Sequence, residues 1–242
     1  MISQLFVKKP QIIIALDFSN KIKALKLINS LDPKCFALKI GTIMFTLFGI
    51  QFVKELQKKG FRIFLDLKFY DIPNTIFKTI RAIANLGIWM ISIHICGGIQ
   101  MLKSAKLALN FCYEKKPLLM GVTVLTSLNN NDIRNVGVNM LIKNHVLILS
   151  KLAKKCNLDG IICPGSEVLH IKNKLGDMLK ILTPGIQFNN NSLCDQKNVI
   201  TPCIAKKYNI DYIVIGRAIT SSKNPLNELK KIQIELKNPK QN

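Results

Sequence analysis

Short apolar runs alternate with longer stretches of mixed polarity along the whole chain, and each apolar run has the length of a buried strand. The mixed stretches carry apolar residues at helical spacing, and some end at residues that stop helices, such as Gly60 and Gly87. The predicted strands cover 12–16, 36–40, the stretch that begins at 61, 89–95, 118–125, 160–163, 179–182 and 212–215. The predicted helices cover 20–31, 50–59, 76–86, a segment after 97–98, 140–156, 166–174, 201–208 and 225–236.

Eight strand-then-helix units in 242 residues fit an α/β TIM barrel, the (β/α)8 fold. Parallel strands joined by right-handed helical crossovers close naturally into such a barrel. An open, doubly wound sheet is the alternative, but no G-x-G-x-x-G motif follows the first strand. No linker or change of composition divides the chain, so we expect a single domain over residues 1–242. Loops are predicted at the Asn-rich 129–131 and the polar 187–198.

The third predicted strand carries charges that an apolar strand tolerates poorly. Asp66 and Lys68 stand two residues apart, so alternation with period two directs a carboxylate and an ammonium to one face. Asp71 follows just beyond the strand, before a helix that Asn74 or Thr75 could cap. Buried charges are costly unless they pair or take part in chemistry, so the pattern indicates either a structural ion-pair network or a reaction centre.

Polar side chains mark the ends of most of the other predicted strands as well. Those at or just past the C-terminal strand ends are Asp17, Lys39, Asp66, Lys68, Asp71, His94, Thr126 and Arg217. The active site of a TIM barrel is formed at that face. So many polar groups on one rim, with opposite charges alternating, favour a functional site over a set of solvated surface charges.

The charges on this rim suit a decarboxylation. A substrate carboxylate placed against Asp66 would be repelled, and its loss as neutral CO2 would relieve the repulsion. Lys68 could stabilise the carbanion left behind and then protonate it. The carboxylates are accompanied by lysines and His94 stands alone among metal-ligand types, so we expect no metal; no nucleotide-cofactor motif is present either.

The ends of the last two strands indicate a phosphate site. In TIM barrels the loops after strands seven and eight often bind phosphate through main-chain N–H groups. Gly185 and Gly216 permit close approach of the main chain, and Arg217 offers a guanidinium for a bidentate grip. The alternative is that Gly216 only makes the turn and Arg217 pairs with a nearby acid.

Composition narrows the class of protein. The net charge is +21, but the lysines are scattered and only four of the 35 basic residues are Arg, which argues against a nucleic-acid-binding protein. The excess of Lys, Asn and Ile is typical of an AT-rich genome. No apolar run reaches the length of a membrane span. Seven Cys without a C-x-x-C pair indicate reduced thiols in a cytoplasmic protein.

The segment D-L-K-F-Y-D-I-P-N-T at 66–75 resembles the signature of the orotidine 5′-phosphate decarboxylase family in its bacterial form. Further motifs occur in the family's order: A-L-D at 15–17, L-K-I-G-T-I-M-F-T-L-F-G at 38–49, H-x-x-G-G at 94–98, V-T-V-L-T-S at 122–127, T-P-G-I at 183–186 and I-G-R at 215–217. The resemblance implies a TIM barrel that converts orotidine 5′-phosphate to UMP and CO2, the last step of de novo UMP synthesis. It also implies that no metal and no organic cofactor takes part.

The resemblance assigns roles to individual residues at the reacting end. Lys68 would donate a proton to C6 of the pyrimidine, and Asp66 would lie against the departing carboxylate. Lys39 would bind the ribose and hold the charged network. Asp17 would take a ribose hydroxyl, and Thr126 would hydrogen-bond the pyrimidine edge.

Two further groups of residues complete the implied site. Asp71 and Thr75 would reach across an interface into a partner's site, which implies a homodimer with shared active sites, and Ile72 would also bind substrate. The 5′-phosphate would be held by Gln196, Gly216 and Arg217, with Gln187 as a further substrate-binding residue near it. Gln187 stands where bacterial relatives commonly carry Arg, so we expect an effect of this position on substrate affinity and none on the chemistry.

Three other functions stay open. Relatives such as 3-keto-L-gulonate-6-phosphate decarboxylase and hexulose-6-phosphate synthase share D-x-K-x-x-D but use Mg²⁺ and sugar phosphates. Thr126 and the D-I-P-N-T continuation argue against them. A basic nucleic-acid-binding protein and a barrel that binds a nucleotide without turning it over are the remaining alternatives, and Gln187 is the one feature that favours the latter.

Overall fold

Eight parallel strands form a closed barrel in chain order, with β8 paired to β1. The computed structural model describes residues 10–113, 115–186 and 200–237. The strands are β1 Gln11–Ala15, β2 Phe36–Gly41, β3 Ile63–Phe69, β4 Met90–His94, β5 Leu118–Val122, β6 Gly160–Ile162, β7 Lys180–Pro184 and β8 Tyr212–Ile215. The helices are α1 Lys21–Ile28, α2 Thr42–Lys58, α3 Pro73–Ala84, α4 Gly98–Ala108, α5 Asn130–Asn135, α6 Ile142–Lys155, α7 Val168–Leu175, α8 Pro202–Lys207, α9 Arg217–Thr220 and α10 Pro225–Lys237. The expected TIM-barrel class is confirmed.

The barrel interior changes from apolar to polar along its axis. In three neighbouring strands an apolar residue of the inner core is followed, two residues later, by a buried polar one: Ala37 by Lys39, Phe64 by Asp66, and Met90 by Ser92. Side chains alternate with period two along a strand, so both members of each pair belong to the same face. The three strands therefore give the barrel an apolar centre and a charged C-terminal mouth.

Aromatic and basic side chains pack together at the N-terminal end of the strands. The Arg62 guanidinium lies 4.5 Å from the centre of the Trp89 ring. The Trp89 ring meets the Tyr212 ring edge-on at 5.5 Å. Cation–π and edge-to-face contacts of this kind are stabilising. We therefore interpret this end of the barrel as structural and its opposite end as the place for chemistry.

Two helices begin earlier than the sequence pattern predicts. Helix α2 starts at Thr42, and Gly49 interrupts its helical geometry with φ of +56°, which hid the first turns from a periodicity argument. Helix α3 starts at Pro73, and the predicted cap by Asn74 or Thr75 is wrong. Ile72 is the N-cap residue and makes no side-chain capping bond. Proline at the first helical position has no N–H that needs a partner.

The Asn-rich segment predicted as a loop is the start of α5. The Asn129 side chain accepts hydrogen bonds from the N–H groups of Asn131 and Asp132, at 2.8 and 3.1 Å. The Asp132 carboxylate in turn accepts from the Asn129 N–H at 2.8 Å. This reciprocal capping box stabilises a helix start directly after the 126–128 segment at the barrel mouth.

Composition led to two expectations, no membrane-spanning segment and reduced thiols, and the structure addresses both within the residues that it describes. No helix in 10–113, 115–186 or 200–237 is long and apolar enough to cross a membrane. Within the same ranges, the cysteines Cys35, Cys96, Cys112, Cys156, Cys163 and Cys203 are free thiols.

Asn129→Ala should lower the free energy of unfolding by about 1 kcal/mol, because it removes the side chain that caps α5. Asn131→Ala is the matched control, since Asn131 lies two residues away in the same exposed turn and its side chain is not the cap. We expect the control to change stability by less than about 0.5 kcal/mol. Urea denaturation of both variants measures the difference, and equal losses would contradict the capping role.

Candidate active site

A cavity of about 1310 Å³ opens at the C-terminal end of the barrel. Small-molecule sites in proteins typically occupy ~300–1,000 Å³, so this cavity has room for a sizeable ligand. Seven of the predicted site residues line it: Asp17, Lys39, Asp66, Lys68, Thr126, Gly216 and Arg217. They come from five different strand ends, which the barrel brings to one mouth.

A chain of ion pairs crosses the floor of this cavity. The Lys68 ammonium lies 3.0 Å from Asp66 Oδ2, and the Lys39 ammonium lies 3.5 Å from the same oxygen. Lys39 also contacts Asp17 Oδ1 at 3.4 Å. Lys39 and Asp66 are buried, with exposed fractions of 9% and 8%, whereas Asp17 is exposed. The pairs form a line of alternating charge from the cavity rim to its floor.

Asp66 is held in its charged form. Burial by itself would raise the pKa of the Asp66 carboxyl, but the charges of Lys39 and Lys68 and hydrogen bonds from Lys68 and Ser92 outweigh it and lower that pKa below its ordinary value of 3.8. Asp66 is therefore ionised at neutral pH despite its burial. A second negative group brought into contact with it would be repelled at close range, where little water is present to screen the repulsion.

The geometry of β3 at this point differs from the regular strand that alternation predicts. The pairing with β4 advances from Leu65 to Phe69 on β3 while it advances only from Ile91 to Ile93 on β4. Lys68 lies in this irregular segment with φ of +49°, a left-handed conformation uncommon for residues other than glycine. Asp66 and Lys68 do meet as expected, but within a bulged segment rather than along a regular strand.

Two functional positions were missed in the sequence. Ser92 is fully buried, donates its hydroxyl to Asp66 Oδ1 at 2.9 Å and accepts the Lys68 N–H at 2.9 Å. Its signal was a hydroxyl two residues after Met90, between the apolar residues Ile91 and Ile93. Gly41 lies beside the ion pairs, and a Cβ there would stand 3.1 Å from the Lys39 ammonium. A larger residue at Gly41 would crowd that ammonium.

The candidate phosphate-binding groups follow the ends of β7 and β8. Gly185, Gly216 and the exposed Arg217 all line the cavity, and a Cβ on Gly216 would stand 3.6 Å from Asp17 Oδ2. Gly185 has φ of +78°, which favours glycine, so its main chain can turn into the cavity without a side chain in the way. Arg217 begins the short helix α9 directly after β8.

Several predicted residues are not part of this chain's cavity. Asp71 and Ile72 are exposed, and Thr75 is partly exposed at the start of α3. The Asp71 carboxylate accepts the Ile72 N–H at 2.7 Å and forms none of the ion pairs described above. The expectation that Asp71 alternates in charge with the other rim residues is therefore wrong within one chain, because β3 ends at Phe69 and Asp71 lies beyond it; Asp17 is the second carboxylate of the ion pairs. Gln187 and Gln196, both in the predicted 187–198 loop, lie outside the described residues.

His94 lies close to the ion pairs without joining them. Burial, followed by the nearby Lys68 charge, lowers the pKa of His94 from its ordinary value of 6.5. Its ring meets the Tyr70 ring edge-on at 6.0 Å. His94 is therefore neutral at pH 7 and adds no positive charge to the cavity.

No group of three or more His, Cys, Asp or Glu side chains in the described parts of the chain is arranged to hold a metal ion. The charged groups that line the cavity floor are instead two ammonium groups in contact with one buried carboxylate. Independence from metal remains a prediction that activity measurements must test.

A closed (β/α)8 barrel with ion-paired lysines and carboxylates at its C-terminal mouth defines the class: a TIM-barrel enzyme. Comparison with known proteins narrows it. The family model "Orotidine 5′-phosphate decarboxylase / HUMPS family" matches residues 10–232. Orotidine 5′-phosphate decarboxylase from Buchnera aphidicola subsp. Baizongia pistaciae is 60% identical over 230 residues, covering 95% of this chain and 97% of the relative.

More distant relatives support the same family assignment. Orotidine 5′-phosphate decarboxylase from Vibrio vulnificus is 43% identical over 226 residues, covering 93% of this chain and 97% of the relative. The crystal structure of orotidine 5′-phosphate decarboxylase from Lactobacillus acidophilus superposes with a TM-score of 0.83 at 36% identity, covering 95% and 99% of the two chains. The chain belongs to the orotidine 5′-phosphate decarboxylase / HUMPS family. Within that family it is a decarboxylase, a carbon–carbon lyase.

Asp66→Asn should lower the free energy of unfolding by roughly 3 kcal/mol at neutral pH, because it leaves two ammonium groups without their shared buried carboxylate. The folded-state pKa of Asp66 is depressed, so its stabilising contribution is present above pH ~4 and is lost as the pH falls through the folded-state pKa. The difference between wild type and variant should therefore shrink as the pH falls below ~4.

Asp177→Asn is the control for this measurement, since Asp177 pairs with Lys172 but its side chain is 74% exposed. An exposed pair contributes less than about 1 kcal/mol, so this variant should stay close to wild type. Denaturant unfolding across pH measures both. A difference for Asp66→Asn that stays constant down to pH ~2 would contradict the assignment of a depressed pKa.

Proposed function

We propose that the chain converts orotidine 5′-phosphate to UMP and CO2 without a metal or organic cofactor, the last step of UMP biosynthesis. The observation that carries the proposal is the buried Asp66 carboxylate, kept ionised between the ammonium groups of Lys39 and Lys68. A carboxylate fixed in this state is suited to expel another carboxylate. The identity of 60% to a decarboxylase of this substrate supports the choice of orotidine 5′-phosphate.

The reaction needs only the groups on the cavity floor. With the substrate carboxylate against Asp66, the bond between C6 and the carboxylate carbon breaks and CO2 leaves, while the bonding electron pair stays on C6. The Lys68 ammonium stabilises this carbanion and then gives it a proton, forming the C6–H bond of UMP. Lys68 is left as a neutral amine and regains its proton from solvent before the next turnover.

The remaining lining residues suit the other parts of the nucleotide. Asp17 and Lys39, joined at 3.4 Å, offer an acceptor and a donor for the ribose hydroxyls. Thr126 offers a hydroxyl to the pyrimidine edge. Gly216 and Arg217, which line the cavity directly after β8, are suited to the 5′-phosphate, and Gln187 and Gln196 are proposed to assist them.

We further propose a homodimer in which Asp71, Ile72 and Thr75 complete the partner's site. In support, Asp71 stands outside its own cavity. It is flanked by Tyr70 and Ile72, large apolar side chains that are each 65% exposed. Exposed apolar side chains beside a carboxylate fit an interface that delivers that carboxylate elsewhere.

A cytoplasmic location is part of the proposal. The free thiols of the described residues suit a reducing compartment. Fractionation of source cells tests this, and recovery of the protein in a membrane or secreted fraction would contradict it.

Lys68→Ala should abolish measurable decarboxylation, a loss of roughly 10³-fold or more, because the proton donor and the nearest cation are removed together. The fold should survive, since the Lys68 side chain is 37% exposed and adds little to the core. Lys78→Ala, an exposed lysine on α3, is the control and should keep full activity. Retained turnover in a folded Lys68→Ala variant would exclude Lys68 as the donor.

Arg217→Ala should raise KM roughly 10- to 100-fold, the effect of losing a charge-assisted hydrogen bond, with a smaller change in kcat. The reason is that the phosphate does not take part in the bond changes. Arg134→Ala, at an exposed arginine of α5, serves as the control. A fall in kcat alone would argue against a phosphate-binding role for Arg217.

Complementation tests the shared site. Lys68→Ala and Asp71→Ala homodimers should each be nearly inactive, but a mixed dimer contains one site with its own Lys68 and the partner's intact Asp71. Subunit exchange in an equimolar mixture should therefore restore about one quarter of wild-type activity, the statistical yield for a symmetric dimer. Failure to recover activity after verified exchange would show that Asp71 does not act across the interface.

A further inference from the structure

One buried hydroxyl joins the two reacting side chains of the proposed site. Ser92 on β4 is 0% exposed, and its oxygen lies 2.9 Å from Asp66 Oδ1 and 2.9 Å from the Lys68 main-chain nitrogen. The directions of the two bonds are determined by chemistry. A main-chain N–H can only donate and an ionised carboxylate can only accept, so the hydroxyl accepts from Lys68 and donates to Asp66.

The hydroxyl acts where the strand pairing is irregular. In regular β3 the main-chain groups alternate in direction: the Ile63 carbonyl accepts from Trp89, just before β4, and the Arg62 carbonyl accepts from Leu38 on β2, so continued alternation would direct the Lys68 N–H toward β2. Here β3 bulges between Leu65 and Phe69, and a β4 side chain supplies the acceptor instead. The bond therefore supports Lys68 in its left-handed conformation, with φ of +49°.

The two Asp66 oxygens have separate partners as a result. Oδ1 accepts from Ser92, while Oδ2 faces both Lys68 and Lys39. A carboxylate bonded at both oxygens cannot rotate about χ2 without breaking one of these contacts. The same serine thus restrains the Asp66 carboxylate and the main chain that carries the Lys68 ammonium.

We propose that Ser92 is a positioning residue of the decarboxylation centre, which sets the relative placement of the Asp66 carboxylate and the Lys68 ammonium before substrate binds. This inference rests on the proposed function, because it assumes that those two groups perform the chemistry. Ser92 touches no reacting atom and acts through its two neighbours. Removing its hydroxyl should slow the chemical step and leave ground-state binding of the nucleotide largely intact.

Ser92→Ala tests the inference, with Ser150→Ala as the matched control. Ser150 is also 0% exposed and donates its hydroxyl to a main-chain carbonyl, that of Val146 at 2.7 Å, but it lies on α6 and does not line the cavity. Both changes delete one buried, hydrogen-bonded hydroxyl, but only Ser92→Ala also removes a partner from a main-chain N–H and from a buried carboxylate oxygen, so stability is measured for both variants beside activity. Thermal unfolding monitors the stability, and steady-state kinetics with orotidine 5′-phosphate monitors the site.

We expect Ser92→Ala to lower kcat roughly 10- to 100-fold, since a misplacement of about 1 Å in a catalytic group can cost on the order of 10²-fold. KM should change less than about threefold, because the nucleotide keeps its binding groups. Ser150→Ala should match wild type in both constants. Ser92→Thr, which keeps the hydroxyl, should recover most of the lost kcat.

The outcomes separate this inference from the function on which it rests. A wild-type protein that does not turn over orotidine 5′-phosphate would overturn the proposed function. Active wild type with equal kcat in Ser92→Ala and Ser150→Ala, or a loss confined to KM, would overturn the role of Ser92 alone. Should Ser92→Ala not fold, Ser92→Cys keeps the side-chain volume with weaker hydrogen bonds. An unchanged kcat in that variant would likewise overturn the inference.

Discussion

The site depends on one buried carboxylate that stays ionised. Taking the Asp66 charge out of water costs several kcal/mol, and that cost is offset only if cations and hydrogen-bond donors meet it at short range. Lys39 and Lys68 supply the charges, and Ser92 supplies a further bond. The placement of β2, β3 and β4 around this group follows from that requirement, and so does the suitability of the cavity for losing CO2.

Each of these strands contributes an apolar residue to the inner core and, two residues later, a buried polar residue to the site. Phe64 belongs to the inner apolar core, and two residues later Asp66 belongs to the charged floor of the cavity. The same spacing of two residues relates Met90 in the inner core to Ser92 in the polar layer. The deep layer can therefore pack tightly around apolar groups while the next layer holds polar groups in fixed positions, which a flexible loop could not do as well.

Much of this arrangement could be predicted because strand periodicity and strand ends are local properties of a sequence. Strand β8 was predicted residue for residue, and six of the eight rim residues predicted from strand ends line the cavity: Asp17, Lys39, Asp66, Lys68, Thr126 and Arg217. The start of α2 was missed because Gly49 interrupts its periodicity. Ser92 was missed because its importance arises from a bulge in the neighbouring strand, and one strand does not reveal the register of another.

Asp71 shows a different limit of prediction from a single sequence. Its position just past β3 placed it among the predicted rim residues, yet the carboxylate lies outside its own chain's cavity. Contacts between subunits depend on surfaces that the pattern of a single chain does not specify. The resemblance to the decarboxylase family, and not alternation of charge, is what assigns Asp71 to a partner's site.

We propose that fixed charges of the protein expel CO2 from an anionic nucleotide without a metal or cofactor. An assay of purified enzyme with orotidine 5′-phosphate in excess chelator, following the loss of substrate absorbance and the formation of UMP, tests it most directly. We expect the same rate with chelator as without it, and no increase on adding Mg²⁺. Turnover that disappears with chelator and returns with Mg²⁺, or that requires a sugar phosphate in place of the nucleotide, would contradict it.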